Sequence, residues 1–350
     1  MCDLPTNANG RSYQKQGRTM KKVILTSLTA LGLAFSSMNT FATSVIRLAH
    51  DSQETSPVHK AMLYFEQEVE ARSNGEIEVE IYPARQLGDV RETTELVQQG
   101  NLQMTFGASV LLSPYVPEFN VLDVFYLFDS EEQAHKALDS EKIGQPLLNA
   151  MESKGFHGLG FMEVGFRSVT NNKQPIDSIE DLKGLKIRSA SNPTQISAWK
   201  SIGTAPTPLS WGEIFTSLQQ GLINAQESAI YSIYAERFYE AQKYLSLTNH
   251  IYTNYVLFMN KSFWDSLPAA QQALISEVSK ETIAKQRELA AQQNQEVIKE
   301  LEAKGMTVNI VPDEVRSIMK EKMNAAVYQD LRSKTGKDLF DNVMAEIERL

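Results

Sequence analysis

The sequence predicts an α/β protein built as two lobes, on three observations. Segments with the two-residue period of strands alternate with segments of helical period along most of the chain, the pattern of largely parallel sheets covered by helices. One stretch, Pro268 to Lys304, carries no glycine or internal proline and reads as a single long helix. The chain has 350 residues, 42% hydrophobic and 22% charged, which suits two domains of ordinary size and excludes a disordered or collagen-like protein.

The first segment stands outside the lobes. Met20-Lys21-Lys22 is basic, Val23 to Phe35 is apolar but too short for a membrane span, and Thr40-Phe41-Ala42 ends on a small residue. This is the pattern of a secretory signal peptide cleaved after Ala42, with Met20 as the expected start and residues 1–19 as upstream sequence. Removing residues 1–42 takes away five positive charges (Arg11, Lys15, Arg18, Lys21, Lys22) and one negative (Asp3). The formal net charge then moves from −9 to about −13. Such an acidic protein is a poor match for nucleic acid. The single cysteine, Cys2, leaves with the leader, so the exported chain has neither thiol chemistry nor a disulfide. With no second apolar span, the expected location is a bacterial periplasm.

After the leader, Val45 to His50 reads as a strand. Pro57 to Arg72 reads as a helix, since Val58, Ala61, Met62, Phe65 and Val69 fall on one stripe. Ile77, Val79 and Ile81 alternate as a strand, followed by a helix Val90 to Gln99 and a strand Leu102 to Ala108. Ser130-Glu131-Glu132-Gln133 is a capping box that opens a helix, and Phe156 to Gly165 returns as a strand. A second series repeats the logic: strand Leu185 to Arg188, a helix from Pro193, a capping box Ser210-Trp211-Gly212-Glu213, a helix to Gln220, and strand Ile223 to Gln226. Strands at Tyr244 to Leu247 and Tyr255 to Asn260 precede the long helix, which at 1.5 Å per residue measures about 55 Å and is longer than one lobe is wide. Two shorter helices with an unmarked break are the alternative. A strand Met306 to Val311 and two C-terminal helices end the chain. No linker of low complexity separates the lobes, so strands crossing between them are expected to join them.

Enzyme signatures are absent: there is no His-Glu-x-x-His, no Gly-x-Ser-x-Gly, no phosphate-binding loop and no dinucleotide fingerprint. The five histidines (His50, His59, His135, His157, His250) lack ligand spacing, so neither a metal nor a cofactor is expected. Cationic and aromatic residues remain where α/β folds place ligands, at the carboxyl ends of strands. Arg188 closes a strand, and Asn192-Pro193 then reads as an N-cap and first helical residue, so a guanidinium fork lies beside exposed N–H groups as a carboxylate receptor would. Arg167 ends the apolar strand Phe161 to Phe166. An arginine at either place also serves as a surface ion-pair partner. Trp211, in the first turn of its helix, suits either an apolar ligand wall or core packing. Asp51 and Glu54 follow the first strand and offer acceptors for ligand hydroxyls, or are solvated loop carboxylates. Tyr231, Tyr234, Phe238 and Tyr239 fall at helical spacing, as core or lobe interface. A lyase or hydrolase would need a proton-transfer residue beside the arginines, for which Glu163 and Glu227 are the candidates.

Several ordered blocks carry a family resemblance over nearly all of the exported chain: Ile81-Tyr82-Pro83 with Gln86-Leu87-Gly88, Pro117-Glu118-Phe119, Asp181 to Arg188, Gly203 to Pro208, Leu218 to Gly221 through Gln226-Glu227, Thr248-Asn249-His250, and the long helix. The chain resembles the periplasmic solute-binding subunits of tripartite ATP-independent periplasmic (TRAP) transporters, of the dicarboxylate-binding type. The resemblance implies a two-lobed periplasmic-binding-protein fold with crossing hinge strands and a long helix spanning both lobes. Lobe I is expected at 43–164 plus 254–293 and lobe II at 165–253 plus 294–350. It implies a ligand carboxylate on Arg188 with Arg167 nearby, Asp51 in the first-lobe ligand loop, Ser191 or Asn192 beside the carboxylate, and Trp211 as the aromatic wall. Ser109, Gln226 and Ser228 complete the expected contacts. The implied partners are a small organic acid and a pair of membrane permease subunits driven by an ion gradient, with the binding protein a monomer. Ala108 and Leu111 stand where sialic-acid binders carry Glu and Arg, which disfavours sialic acid. The usual Asp-Gly-Gln-Glu-Asn is Asn224-Ala225-Gln226-Glu227-Ser228 here. Pro117-Glu118-Phe119 and Trp211 resemble sugar-acid binders more than binders of small dicarboxylates. A small-dicarboxylate binder of the same family and a ligand-sensing periplasmic domain are the alternative readings.

Overall fold

A computed structural model of the protein describes residues 43–350. The expected leader and Cys2 lie outside the described residues. The first series comprises β1 (Ser44–Ala49), α1 (Pro57–Arg72), β2 (Ile77–Tyr82), α2 (Val90–Gln98) and β3 (Met104–Ala108). Then come the short α3 (Ser109–Leu112), a 3₁₀ segment Pro117–Asp123, α4 (Glu131–Leu138) and α5 (Gly144–Glu152). A strand of 16 residues, β4 (Phe156–Asn171), leads to the second series. That series is β5 (Lys186–Ser189), α6 (Pro193–Ser201), β6 (Ala205–Pro208), α7 (Ile214–Gln219), β7 (Ala225–Ala229), α8 (Ile230–Ala235) and β8 (Tyr244–Leu247). The chain returns through β9 (Tyr252–Asn260) and α9 (Lys261–Ser266), then runs through α10 (Ala269–Ala303), β10 (Thr307–Ile310), α11 (Asp313–Thr335) and α12 (Lys337–Ile347).

The caps explain several boundaries. Ser56 accepts from the His59 N–H at 3.1 Å and Pro57 occupies the first helical position of α1. Ser130 caps α4 as expected, although the Gln133 side chain reaches back to the N–H of Asp129, one residue before the cap. The 210–213 capping box is present, but it opens a 3₁₀ turn, Trp211–Glu213, that leads into α7.

The strands follow the order β2-β1-β3-β9-β4-β7-β5-β6, with β8 also on β4 and β10 on β8. Each flank is parallel (β1 with β2 and β3; β5 with β6 and β7), whereas the central β3–β9, β9–β4 and β4–β7 pairs are antiparallel. β4 pairs with β9 from Phe156 to Phe166 and then with β7 and β8 from Arg167 to Asn171. It therefore passes through Gly165, where the sequence reading ended it. The register shifts between Gly158/Gly160 and Glu163/Gly165. Gly160 and Gly165 have φ of +147° and +103°, and a Cβ on Gly160 would stand 2.5 Å from Ile283 Cδ1. Glycine here bends the strand and does not end it.

The long helix is unbroken, as its composition predicts. Ile275, Val278 and Ile283 of α10 join the core formed with α1, β1 and β3, while Val297 and Leu301 join the core under α7, α8 and β8. A third core gathers α2, the 3₁₀ segment, α5, α6, α11 and α12. No helix among the described residues is long and apolar enough to cross a membrane.

Candidate ligand-binding site

β4, β5, β7 and β9 bring side chains to one cleft with about 730 Å³ of empty space, part of it open to solvent. Arg188, the penultimate residue of β5, is 3% exposed. Its Nε and Nη2 both donate to the Leu209 carbonyl, at 3.1 and 2.9 Å, and its Cζ lies 5.6 Å from the Trp211 ring centre. No carboxylate lies within ion-pair distance of it among the described residues. Burial, only partly offset by Glu227, lowers its pKa to about 10, so it stays charged at neutral pH. A guanidinium removed from water without a counter-ion is costly unless an anion arrives.

Arg167 is differently placed. It lies mid-strand in β4, which corrects the expected strand end, and it is already paired. Its Nε donates to Glu227 Oε2 and one terminal nitrogen donates to Glu227 Oε1 at 2.9 Å. The antiparallel register sets Val169 opposite Glu227, so Arg167 and Glu227 share a face. His250, fully buried, sits 3.2 Å from Glu227 Oε2 through Nε2 and 2.8 Å from the Thr248 hydroxyl through Nδ1. Burial holds its pKa below 6.5, so the neutral ring donates from Nε2 and accepts at Nδ1. Burial alone would raise the Glu227 pKa; Arg167 and His250 outweigh it and bring it to about 2.

Asp51, Ser109 and Trp211 line the cleft as expected, and Ser191 lines an adjoining cavity that shares Asp51, Arg188 and Trp211 with it. Trp211 Nε1 donates to Glu236 Oε1 at 3.2 Å, which fixes the indole as a wall. Asp51 is 6% exposed; burial, with the nearby charge of Asp89, raises its pKa to about 6. Ala108 and Leu111 also line the cleft.

Four expected contacts are corrected. Glu54 is exposed and lines none of the cavities, because it sits in the turn before α1 that faces solvent. Asn192 caps α6 with its oxygen (Thr194 N at 2.8 Å, Gln195 N at 3.3 Å) and spends both amide hydrogens on the Val110 carbonyl and Ser113 Oγ, each at 3.1 Å. It has no capacity left for a ligand. Gln226 and Ser228 flank Glu227 in β7, so strand alternation turns both to the opposite face, where Gln226 donates to Thr170 Oγ1 at 2.8 Å. The Pro117-Glu118-Phe119 cue is likewise not a contact: Phe119 is core, its ring centre 6.3 Å from that of Phe161. Of the aromatic series, Phe238 is buried as expected and Tyr231 lines a neighbouring cavity with Glu163, Gln286 and Asn294.

Asp123, Gln195 and Tyr255 line the cleft unforeseen. Asp123 is a lone carboxylate in the apolar run Val121-Leu122-Asp123-Val124-Phe125, and that isolation was the available signal. Tyr255 lies within a strand whose alternation alone says nothing of a site. No group of acidic, histidine or cysteine side chains suited to a metal occurs among the described residues. The arrangement suits binding of a small anion with an apolar face.

The chain is 35% identical over 283 residues to the 2,3-diketo-L-gulonate-binding periplasmic protein YiaO of Escherichia coli strain K12, covering 81% of this chain and 86% of that protein. The sugar acid binding protein DctPAm of Advenella mimigardefordensis, solved with galactonate, superposes with a TM-score of 0.83 at 30% identity over 87% of this chain and 98% of that one. A TRAP periplasmic solute binding protein from Sulfurospirillum deleyianum with bound succinate gives a TM-score of 0.80 at 27% identity over 87% and 99%. The model of the bacterial extracellular solute-binding proteins, family 7 (DctP), matches residues 48–334, and the chain belongs to that family.

Proposed function

We propose that the chain is the non-enzymatic periplasmic receptor of a TRAP transport system, which captures a sugar acid by closing two lobes over it. The observation that carries this reading is Arg188, buried and charged without a carboxylate partner in a cleft walled by Trp211. A ligand carboxylate supplies the missing counter-ion, and the free edge of Arg167 stands by. Ser109, Gln195 and Tyr255 offer bonds to hydroxyls, and the indole covers the apolar face of a sugar chain. The lobes are residues 43–164 with 254–293, and 165–253 with 294–350, hinged where β4 and β9 cross. After export on the leader, the loaded monomer delivers its cargo to the membrane permease subunits. Glu163 and Glu227 are poor candidates for proton transfer: the first is bound to His135 at 2.7 Å outside the cleft, and the second is held ionised.

The test is a thermal-shift screen of the exported chain against aldonates, uronates and small carboxylates. A cognate acid at 100 times its dissociation constant stabilises by about 2.7 kcal/mol. Arg188→Ala abolishes most of that shift, because a desolvated ligand carboxylate is left unpaired at a cost of about 2 to 5 kcal/mol. Equal affinity of the variant and the parent for the same acid overturns the reading.

A further inference from the structure

The charges lining the cleft do not balance a doubly charged ligand. Arg167 is neutralised by Glu227, which among the described residues leaves Arg188 as the one unpaired cation lining the cleft, and the two other charged groups lining it are the acids Asp51 and Asp123. With both aspartates protonated the cleft offers a single net positive charge; with both ionised it is negative. The adjoining cavity adds Asp89, Glu92, Glu95 and Glu213 against Arg91. Among the described residues Lys334 is the one further cation whose charge reaches Asp123, and it is paired with Asp330 at 2.6 Å outside the cleft lining.

Asp123 ends the 3₁₀ segment and is 2% exposed. Gln195, also in the cleft lining, lies beside it and favours its ionised form, while its Oδ2 is buried without a partner among the described residues. A buried carboxyl oxygen with no bond lacks the stabilisation that such groups nearly always find. A hydroxyl supplies it, as donor to the ionised form or acceptor from the protonated one. Burial, opposed by Gln195 and Lys334, sets the Asp123 pKa at about 7, so both forms are accessible.

We infer that Asp123 is a specificity-determining residue: its free oxygen binds a ligand hydroxyl and, with Asp51, rejects a second ligand carboxylate, so the cargo class is monoanionic polyhydroxy acids and not aldarates or small dicarboxylates. This rests on the carboxylate-receptor reading of Arg188 and narrows it. The overall fold does not decide the matter, since similar chains hold galactonate and succinate.

The test is calorimetry on the exported chain at pH 7.5 or above with matched pairs that differ in one terminal group: galactonate with galactarate, and glucuronate with glucarate, plus succinate. The monoanion of at least one pair binds about 100-fold more tightly than its dianion, and succinate is not retained. Asp123→Asn, nearly isosteric, narrows that ratio about tenfold or more. Asp123→Ala weakens the preferred monoanion about tenfold or more but leaves acetate, which has no hydroxyl for Asp123 to bind, within about threefold. The comparison on the parent chain needs no variant to fold. Dianions that bind as well as their monoanion partners overturn this inference while leaving the receptor reading intact. An unchanged ratio in Asp123→Asn removes Asp123 from the selection. If none of these acids binds and no acid in the wider thermal-shift screen does either, the receptor reading falls and this inference falls with it.

Discussion

Arg188 shows how a single side chain encodes a vacancy for charge. Among the described residues its two protein bonds go to one neutral carbonyl and an indole face lies beside it, so its charge is solvated by dipoles and remains open to an anion. Asp123 is the complementary case, a carboxyl kept near neutrality by burial. Its pKa of about 7 lies above the ordinary 3.8, so between about pH 7 and pH 4 the native state holds a proton that the unfolded chain has released. Native stability from this group therefore rises as pH falls through that window. Asp123→Asn should be more stable than the parent at pH 8, by about 2 to 4 kcal/mol, with the advantage shrinking steadily towards pH 4. Urea melts of the two ligand-free proteins at several pH values check this. The difference between them matters, because His50, pushed down to about 3 by burial, acts in the opposite direction in both. A pH-independent difference would mean that Asp123 is ionised and partnered in the native state. At this scale the sequence made Arg188, Asp51 and Trp211 legible, because charged and aromatic residues near strand ends and helix starts have few structural reasons to be there, whereas Arg167 reaches the cleft from mid-strand and is held by Glu227. Gln226 and Ser228 were misplaced because parity along β7 depends on its register with β4, which no local pattern states.

β4 shows what local patterns miss at the level of elements. Its glycines look like an end and are in fact bends, and the backbone freed at the bend is satisfied from another element. The N–H of Glu163 donates to Gln286 Oε1 at 2.8 Å, and Gln286 Nε2 donates back to the Glu163 carbonyl at 2.9 Å. One glutamine of α10 thus replaces a missing strand partner where β9 shifts register. Gln286, 2% exposed, leaves two buried backbone groups unpaired if truncated. Gln286→Ala should cost about 2 to 4 kcal/mol, read as a lower urea midpoint at unchanged slope. A loss below about 0.5 kcal/mol would mean that water replaces the amide fully. The continuity of α10 was legible because its residues favour helix throughout and Gly305, at φ +97°, marks its end. α5 and α9 were not assigned from sequence: Ile143 gives α5 no capping side chain, and Asn260, which caps α9, reads as the last residue of β9.

At the scale of the whole molecule, the flanks of the sheet meet again across the cleft through groups remote from one another in sequence. Glu236, just after α8, receives Trp211 Nε1 at 3.2 Å and the Gln53 amide at 3.5 Å, and faces Arg85 Nη1 at 3.6 Å. Gln53 and Arg85 belong to the β1–β2 flank and Trp211 to the β5–β7 flank, so Glu236 latches one to the other and fixes the indole over the site. Asn192, held to the Val110 carbonyl, is a second tie of the same kind. The Glu236–Arg85 pair is partly exposed and worth no more than about 1 kcal/mol, so it biases closure and does not create it. A latch that acts only in the closed state slows release without changing encounter. Glu236→Ala should therefore speed ligand dissociation about threefold to tenfold while the association rate stays within about twofold, as stopped-flow tryptophan fluorescence resolves. If association slows instead and dissociation is unchanged, the contacts at Glu236 shape the open entrance and the closing force must lie with the ligand and Arg188 alone.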